Sequence, residues 1–418
     1  MKYPFLSAAE TRKLTEQFPT PFHVYSEQII RERARELKAA FAWNAGFREY
    51  FAVKATPNPA ILRLLMEEGC GLDCSSYTEL LLAGRCGAKG DDIMFSSNMT
   101  PREDMVEALR QGAIINLDDY THIDFLCDCA AGLPGGKIPA TICCRYNPGN
   151  SFTIGNTIMS RPGDAKYGFT REQLFAGFMR LRELGVQRFG LHAFLSSNTA
   201  DGRYYPELAA LLFGTAAELQ AETGIALSFV NLSGGVGIPY RPEETAVDMA
   251  AVGEAIRQHF AAIMEPAGLG DCALFSELGR WLLAPAGMLV CTAIHHKHIY
   301  KRYIGVDACS ANLMRPALYG AYHHITVAGK EDAACTECYD IAGGLCENSD
   351  KFAIDRQLPP IVAGDLLCIH DTGAHGHSMG YNYNGKLRSA EVLWQQDGRA
   401  RLIRRAETPA DYFATLEF

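Results

Sequence analysis

Tyr50-Phe51-Ala52-Val53-Lys54-Ala55-Thr56-Pro57 is an apolar, β-prone run that closes on a lysine. Read as a buried strand, it delivers an amine at its C-terminal end into apolar surroundings. Desolvation there lowers a lysine's pKa and makes it a nucleophile toward carbonyls. A single strand-end lysine more often simply reaches into water, so the decision rests on the chain around it. After residue 45 short apolar runs alternate with longer amphipathic segments. The runs at 50–55, 71–76, 92–97, 112–117, 140–146, 188–195, 227–233 and 272–277 predict strands. The stretches 59–68, 77–85, 101–110, 171–184, 205–222 and 243–263 predict helices. Eight strand signals separated mainly by helices point to a (β/α)8 barrel, and a doubly wound open sheet fits that spacing less well.

Polar or glycine-rich residues fall where the runs end: Lys54, Asp73–Ser76, Ser96–Asn98, Arg145–Asn147, His192–Asn198, Ser233–Gly237 and Glu277–Arg280. In a barrel these C-terminal ends share one face, where barrel enzymes carry their chemistry. Beyond residue 281 the pattern changes to short β-like runs at 288–294, 302–306, 323–327, 366–369, 390–394 and 400–404, broken by Gly, Pro, Asn and Asp. This predicts a β domain of sandwich or barrel type made of 281–418, which also takes in residues 1–25 through the strand-like Phe22-His23-Val24-Tyr25. The barrel domain is expected over 26–280.

The 418 residues carry a net charge of −9, with 48% hydrophobic and 21% charged residues. Interspersed acids argue against a nucleic-acid surface and against anionic membranes. No window offers the ~20 apolar residues of a membrane span, and Met1-Lys2-Tyr3-Pro4-Phe5 has no signal-peptide core, so a cytoplasmic protein is expected. The 14 cysteines are scattered or lie in apolar stretches such as Cys143-Cys144, and they read as free thiols. Cys335-Thr336-Glu337-Cys338 has no second pair at zinc-ribbon spacing, and His295-His296-Lys297-His298 is only a local cluster, so no metal site is expected.

Two constellations bear on chemistry. Ser233-Gly234-Gly235-Val236-Gly237 ends the seventh strand, where glycines let backbone N–H groups approach an anion or simply make a tight turn. Glu277 ends the eighth, and a buried carboxylate there calls for a cationic partner. A protonated pyridine nitrogen is one such partner, and Arg280 is another. Taken together, YFAVKAT (50–56), Asp73-Cys-Ser-Ser-Tyr-Thr-Glu-Leu80, Gly190-Leu-His192, SGGVG (233–237) and ELGR (277–280) resemble the fold-type III pyridoxal phosphate (PLP)-dependent decarboxylases. So do Leu313-Met-Arg315-Pro-Ala-Leu-Tyr319, Cys346-Glu347-Asn-Ser-Asp350 and the stretch from Gly373 to Asn384. Among those enzymes the set is most similar to the diaminopimelate decarboxylases, in order from about residue 20 to residue 405.

That resemblance implies a role for each position. Lys54 would hold PLP as a Schiff base, and Glu277 would face the pyridine nitrogen. The loop of Gly234, Gly235 and Gly237, with Gly279 and Arg280, would hold the phosphate. Asp73, His192, Phe194, Ser197, His375 and Tyr383 would complete the cofactor's surroundings. Cys346, acting from a partner subunit, would reprotonate Cα after CO2 leaves. Arg280, Arg315, Tyr319, Glu347 and His375 would hold the substrate's far end, the arginines suiting a carboxylate and Glu347 an ammonium. The implied enzyme is a homodimer with shared active sites that converts meso-diaminopimelate to lysine and CO2 in lysine biosynthesis. Other amino-acid or carboxynorspermidine decarboxylases, a PLP racemase and a non-catalytic relative are the alternatives. Three positions depart from the family pattern. Phe194 replaces a histidine that stacks on the cofactor ring, His375 replaces a tyrosine, and Leu278 replaces the proline after the glutamate, a change expected to alter turn rigidity only.

Overall fold

The computed structural model describes residues 2–154 and 162–418. The chain separates into two compact units, one of Met1–Ile30, Pro239–Thr245 and Leu282–Phe418 and one of Arg31–Ile238 and Ala246–Trp281. The segment Pro239–Thr245 groups with the β-rich unit, although the sequence division put it in the barrel.

The β-rich unit opens with a helix, Ala8–Gln17, started by a capping box between Ser7 and Glu10. Strand β1 (Phe22–Ser26) follows and is buried along its whole length. The chain then leaves for the second unit through the helix Glu27–Ala40. Eight strands close a barrel there: β2 (Arg48–Ala52), β3 (Gly71–Cys74), β4 (Ile93–Ser96), β5 (Ile114–Leu117), β6 (Thr141–Arg145), β7 (Arg188–His192), β8 (Phe229–Asn231) and β9 (Ala273–Ser276). Each runs parallel to the next, and β9 returns to β2 with Arg48 opposite Phe275 and Glu49 opposite Ser276. The helices between them start on local signals. Asn58 accepts from Ala60 N–H with Pro59 at the first helical position, Ser76 caps Tyr77–Cys86, and Thr170 with Gln173 forms a capping box. The helix His122–Ala131 lacks a side-chain cap, and the sequence reading did not assign it.

Alternation along the strands divides the barrel interior into two layers. Tyr50, Met94, Ile114, Cys143 and Phe229 form one buried cluster, with Ala273 and Phe275 packed against it. Phe275 stacks on Phe229 at 4.4 Å and lies 4.9 Å from Tyr50 between ring centroids. Glycines make room for these rings. A Cβ on Gly190 would lie 2.0 Å from the Phe229 ring, and one on Gly71 2.5 Å from Tyr50. Two residues further along seven of the eight strands the same face turns polar: Asp73 after Gly71, Ser96 after Met94, Asn116 after Ile114, Arg145 after Cys143, His192 after Gly190, Asn231 after Phe229 and Glu277 after Phe275.

Back in the first unit, β10 (Gly287–His298), β11 (Arg302–Val306), β12 (Ile325–Val327), β13 (Glu337–Ala342), β14 (Lys351–Leu358), β15 (Leu366–Ile369), β16 (Ala390–Trp394) and β17 (Ala400–Arg404) complete the β domain. The sheet runs β14-β13-β11-β10-β1-β16-β17, with β15 also on β10 and β12 on β15. β1 lies between β10, antiparallel, and β16, parallel, so the N-terminal strand belongs to this domain. Alternate residues of β10 feed two cores: Leu289 and Cys291 join Ile304, Ile341 and Leu367, whereas Met288 and Val290 join Phe22, Val24 and Val392. The sequence reading passed over β13 and β14. Their ladder carries register shifts that break strict alternation, and β13 holds a buried acid, Asp340, paired with Lys301 and Lys351.

Candidate active site

Glu277 follows β9 at the polar end of the barrel and is buried. Its Oε1 accepts from Asn231 Nδ2 at 2.8 Å, and its Oε2 accepts from the Ser233 hydroxyl at 2.7 Å, with His192 Nε2 3.4 Å away. Burial alone would push this carboxyl up. The His192 charge and hydrogen bond, the Ser233 hydroxyl and the Lys54 charge outweigh it and hold Glu277 below the usual carboxylate range. Asp73, on β3, goes the other way: burial, then the neighbouring Glu277 charge, push it well above the usual range. The barrel therefore ends in two carboxyl groups with opposite protonation preferences, one kept ionised and one kept neutral.

Lys54 does not sit at the end of a buried strand. β2 stops at Ala52, and Lys54 lies in a short 3-10 turn, Val53–Ala55, with an exposed side chain. Its setting is electrostatic and not desolvating, because its charge acts on both Asp73 and Glu277. The Lys54 amine and the Arg145 guanidinium each lie 5.8 Å from the centroid of the Phe194 ring, so the phenylalanine presents its face to two cations. Arg145 is itself buried and paired with Asp118 at 3.1 Å.

The glycine loop after β8 owes its composition to close packing. A Cβ on Gly234 would lie 2.6 Å from Glu277 O and one on Gly235 2.7 Å from Ser196 O; Gly235 also has φ +111°. Gly237 N–H donates to Thr199 O at 2.8 Å, so it closes this loop onto the neighbouring one and is not free to face an anion, as the sequence reading had assigned it. Ser197 lies half-buried in that neighbouring loop. Gly279 abuts Ala55, where a Cβ would come within 2.8 Å, and Arg280 beside it is half-buried.

The remaining predicted residues belong to the β-rich unit. Arg315 is buried, and its Nη1 donates to His323 Nε2 at 2.8 Å. His323 Nδ1 lies 2.8 Å from the carbonyl of His370, which fixes the ring proton on Nδ1 and leaves Nε2 as the acceptor. The guanidinium also lies 4.7 Å from the Tyr240 ring centroid, in the segment that the sequence had assigned to the barrel. Tyr319, one turn on, is exposed. Cys346 and Glu347 are exposed on a loop tied down by Asp350, whose carboxylate accepts from Ser310 N–H and hydroxyl and from Leu345 N–H. Cys346 N–H donates to Asn384 Oδ1 at 2.7 Å, and the Tyr383 hydroxyl donates to Glu347 at 3.2 Å. His375 is half-buried at φ +55°.

Sequence reasoning missed Asn231, Tyr205, which donates to Ser233 O at 2.7 Å, and Glu49, which accepts from Leu278 N–H at 2.6 Å. Asn231 was legible as a polar residue on the interior alternation of β8; Tyr205 and Glu49 left no such signal. Leu278 does more than loosen the turn, because its N–H has a buried acceptor. All fourteen cysteines are free, and among the described residues no group of three or more His, Cys, Asp or Glu side chains is arranged to hold a metal. No described helix is long and apolar enough to cross a membrane.

A (β/α)8 barrel whose strand ends gather a lysine, an ionised buried carboxylate and a glycine-rich loop, joined in sequence to a β domain, defines a class of PLP enzyme. The pyridoxal-binding domain of the pyridoxal-dependent decarboxylases matches residues 27–284, and the chain belongs to that family. It is 39% identical to Protein TabA of Pseudomonas amygdali pv. tabaci, over 97% of this chain and 93% of that one. It is 33% identical to the diaminopimelate decarboxylase of Methanothermobacter thermautotrophicus, over 97% and 94% of the two chains. The crystal structure of diaminopimelate decarboxylase from Methanocaldococcus jannaschii in co-complex with L-lysine superposes with a TM-score of 0.88 at 31% identity, covering 97% of this chain and 94% of that one. The protein is thus a PLP-dependent carboxy-lyase. Its own residues suit the cofactor: the buried Glu277 carboxylate is ionised, and the buried Asp73 Oδ1 and His192 Nδ1 have no hydrogen-bond partner among the described residues.

Proposed function

We propose that the protein decarboxylates meso-diaminopimelate to lysine and CO2, as a homodimer with shared active sites. The observation that carries the choice of substrate is Arg315, a buried guanidinium aimed by His323 Nε2 and the Tyr240 face within the retained stretch Leu313–Tyr319. A fork held in this way suits bidentate binding of a carboxylate at the far end of a diacid amino acid. Lysine or ornithine, which lack that carboxylate, would waste it. The similarity to diaminopimelate decarboxylases over nearly the whole chain supports the same substrate.

PLP, when bound, supplies the sink for the electron pair left on Cα as CO2 departs. Lys54 would supply the amine that holds the cofactor. Glu277, kept ionised, favours the proton on the ring nitrogen, which distinguishes this site from one built for racemisation. Phe194 offers its face where the ring would stack. Glu347 would meet the distal ammonium, and the partner subunit's Cys346 would return a proton to Cα.

A second reading, the same reaction on a different amino acid, is favoured by Phe194 and His375 and by the higher identity to Protein TabA. CO2 release from a panel of meso-, LL- and DD-diaminopimelate, both enantiomers of lysine and ornithine, and carboxynorspermidine separates the two. Strong preference for meso-diaminopimelate is expected. Preference for another substrate would overturn the assignment of Arg315 to a distal carboxylate and leave the reaction standing.

A further inference from the structure

The turn that carries Glu277 is held from both sides of the barrel wall. On the inner side, Glu277 N–H donates to Ser233 O at 2.6 Å, and Gly234 lies so close to Glu277 O that no side chain fits between. On the other side stands Glu49. It is opposite Ser276 across the β2–β9 seam, and alternation sets both back to back with the interior residues Tyr50 and Phe275. Glu49 is 5% exposed, with Oε1 accepting from Leu278 N–H at 2.6 Å and Oε2 bonded to the Ser276 hydroxyl.

A buried carboxyl is costly, and the charge that acts on this one is Glu277, of the same sign. Its two hydrogen bonds go to the residues immediately before and after Glu277. Leu278 matters here, because a proline at that position would have no N–H for Glu49 to accept. The leucine and the glutamate form a matched donor and acceptor.

We propose that Glu49 is a positioning residue for Glu277: through Leu278 N–H and the Ser276 hydroxyl it fixes the turn after β9 that aims the Glu277 carboxylate into the barrel mouth. The hydrogen bond does the work that proline's rigidity would do. The inference rests on the assignment of Glu277 to the cofactor.

The test titrates apoprotein with PLP, following the absorbance of the bound cofactor, and records the thermal midpoint of each apoprotein. Glu49→Gln keeps an acceptor for Leu278 N–H and is expected to bind PLP nearly as wild type does. Glu49→Met fills the volume without an acceptor and is expected to weaken binding about tenfold. Leu278→Pro alone should also weaken it, because Glu49 loses its donor, whereas Leu278→Pro added to Glu49→Met should restore much of the loss. Should Glu49→Met fail to fold, Leu278→Pro compared with wild type decides on its own. Glu49→Met with a lowered midpoint but wild-type affinity and spectrum would overturn the proposal, as would a harmless Leu278→Pro. Glu277→Gln serves as the control: if it leaves affinity and spectrum unchanged, the assignment of Glu277 has failed, and the Glu49 proposal fails with it.

Discussion

The lower and upper layers of the barrel interior share the same strands yet follow opposite rules. In the lower layer Tyr50, Phe229 and Phe275 stack over glycines cut to fit them, with Ile114 and Met94 filling the rest. Two residues further along their strands, Asp73, Arg145, His192, Asn231 and Glu277 place buried polar and charged groups where burial is penalised. The difference shows how the fold divides labour. The stacked rings stabilise the barrel, and the polar layer uses that stability to hold an ionised carboxylate beside a neutral one.

The largest expected effect comes from the upper layer. Glu277→Gln should lower kcat on the order of 10²-fold or more while the protein stays folded, measured by CO2 release alongside the thermal midpoint. Loss of folding with intact specific activity in the surviving fraction would erase the distinction between layers. In the lower layer Phe229→Ala should cost about 3–5 kcal/mol of unfolding free energy by urea denaturation and leave PLP affinity unchanged. Gly190→Ala, whose new Cβ meets the Phe229 ring, should cost about 1–3 kcal/mol by the same assay.

A further effect, of stability alone, is a pH dependence. Burial pushes Glu49 up to about 8 from its ordinary 4.5. Between those values the folded protein holds one more proton than the unfolded chain, so this contribution to stability, complete below 4.5, is lost as pH rises toward 8. Cys70 and Tyr205, which feel the Glu49 charge, are pushed up by burial beyond that window, and Glu277 is held below it. Glu49→Gln does not titrate, so its apoprotein should gain stability relative to wild type between pH 5 and pH 8. A constant gap across that range would contradict the buried, neutral carboxyl.

The barrel was legible because short apolar runs alternate with amphipathic segments along the chain and end in polar residues at the same face. Lys54, Glu277 and the 233–237 loop stood out as interruptions of apolar runs. β13 and β14 were hidden because register shifts spoil the alternation and Asp340 reads as a turn residue until Lys301 and Lys351 are seen beside it. Glu49 was hidden for a different reason: its partner, Leu278 N–H, is a backbone group 229 residues away in the chain. Lys54 ends the first apolar run, but the strand stops two residues before it, so its side chain is exposed and not desolvated.

Borohydride reduction of the PLP-loaded protein, followed by peptide mapping, decides which lysine holds the cofactor. The cofactor is expected to be fixed to Lys54 alone, and Lys54→Ala to abolish both the labelled peptide and CO2 release. Label on another lysine, or a Lys54→Ala protein that still carries it and still turns over, would remove Lys54 from the chemistry.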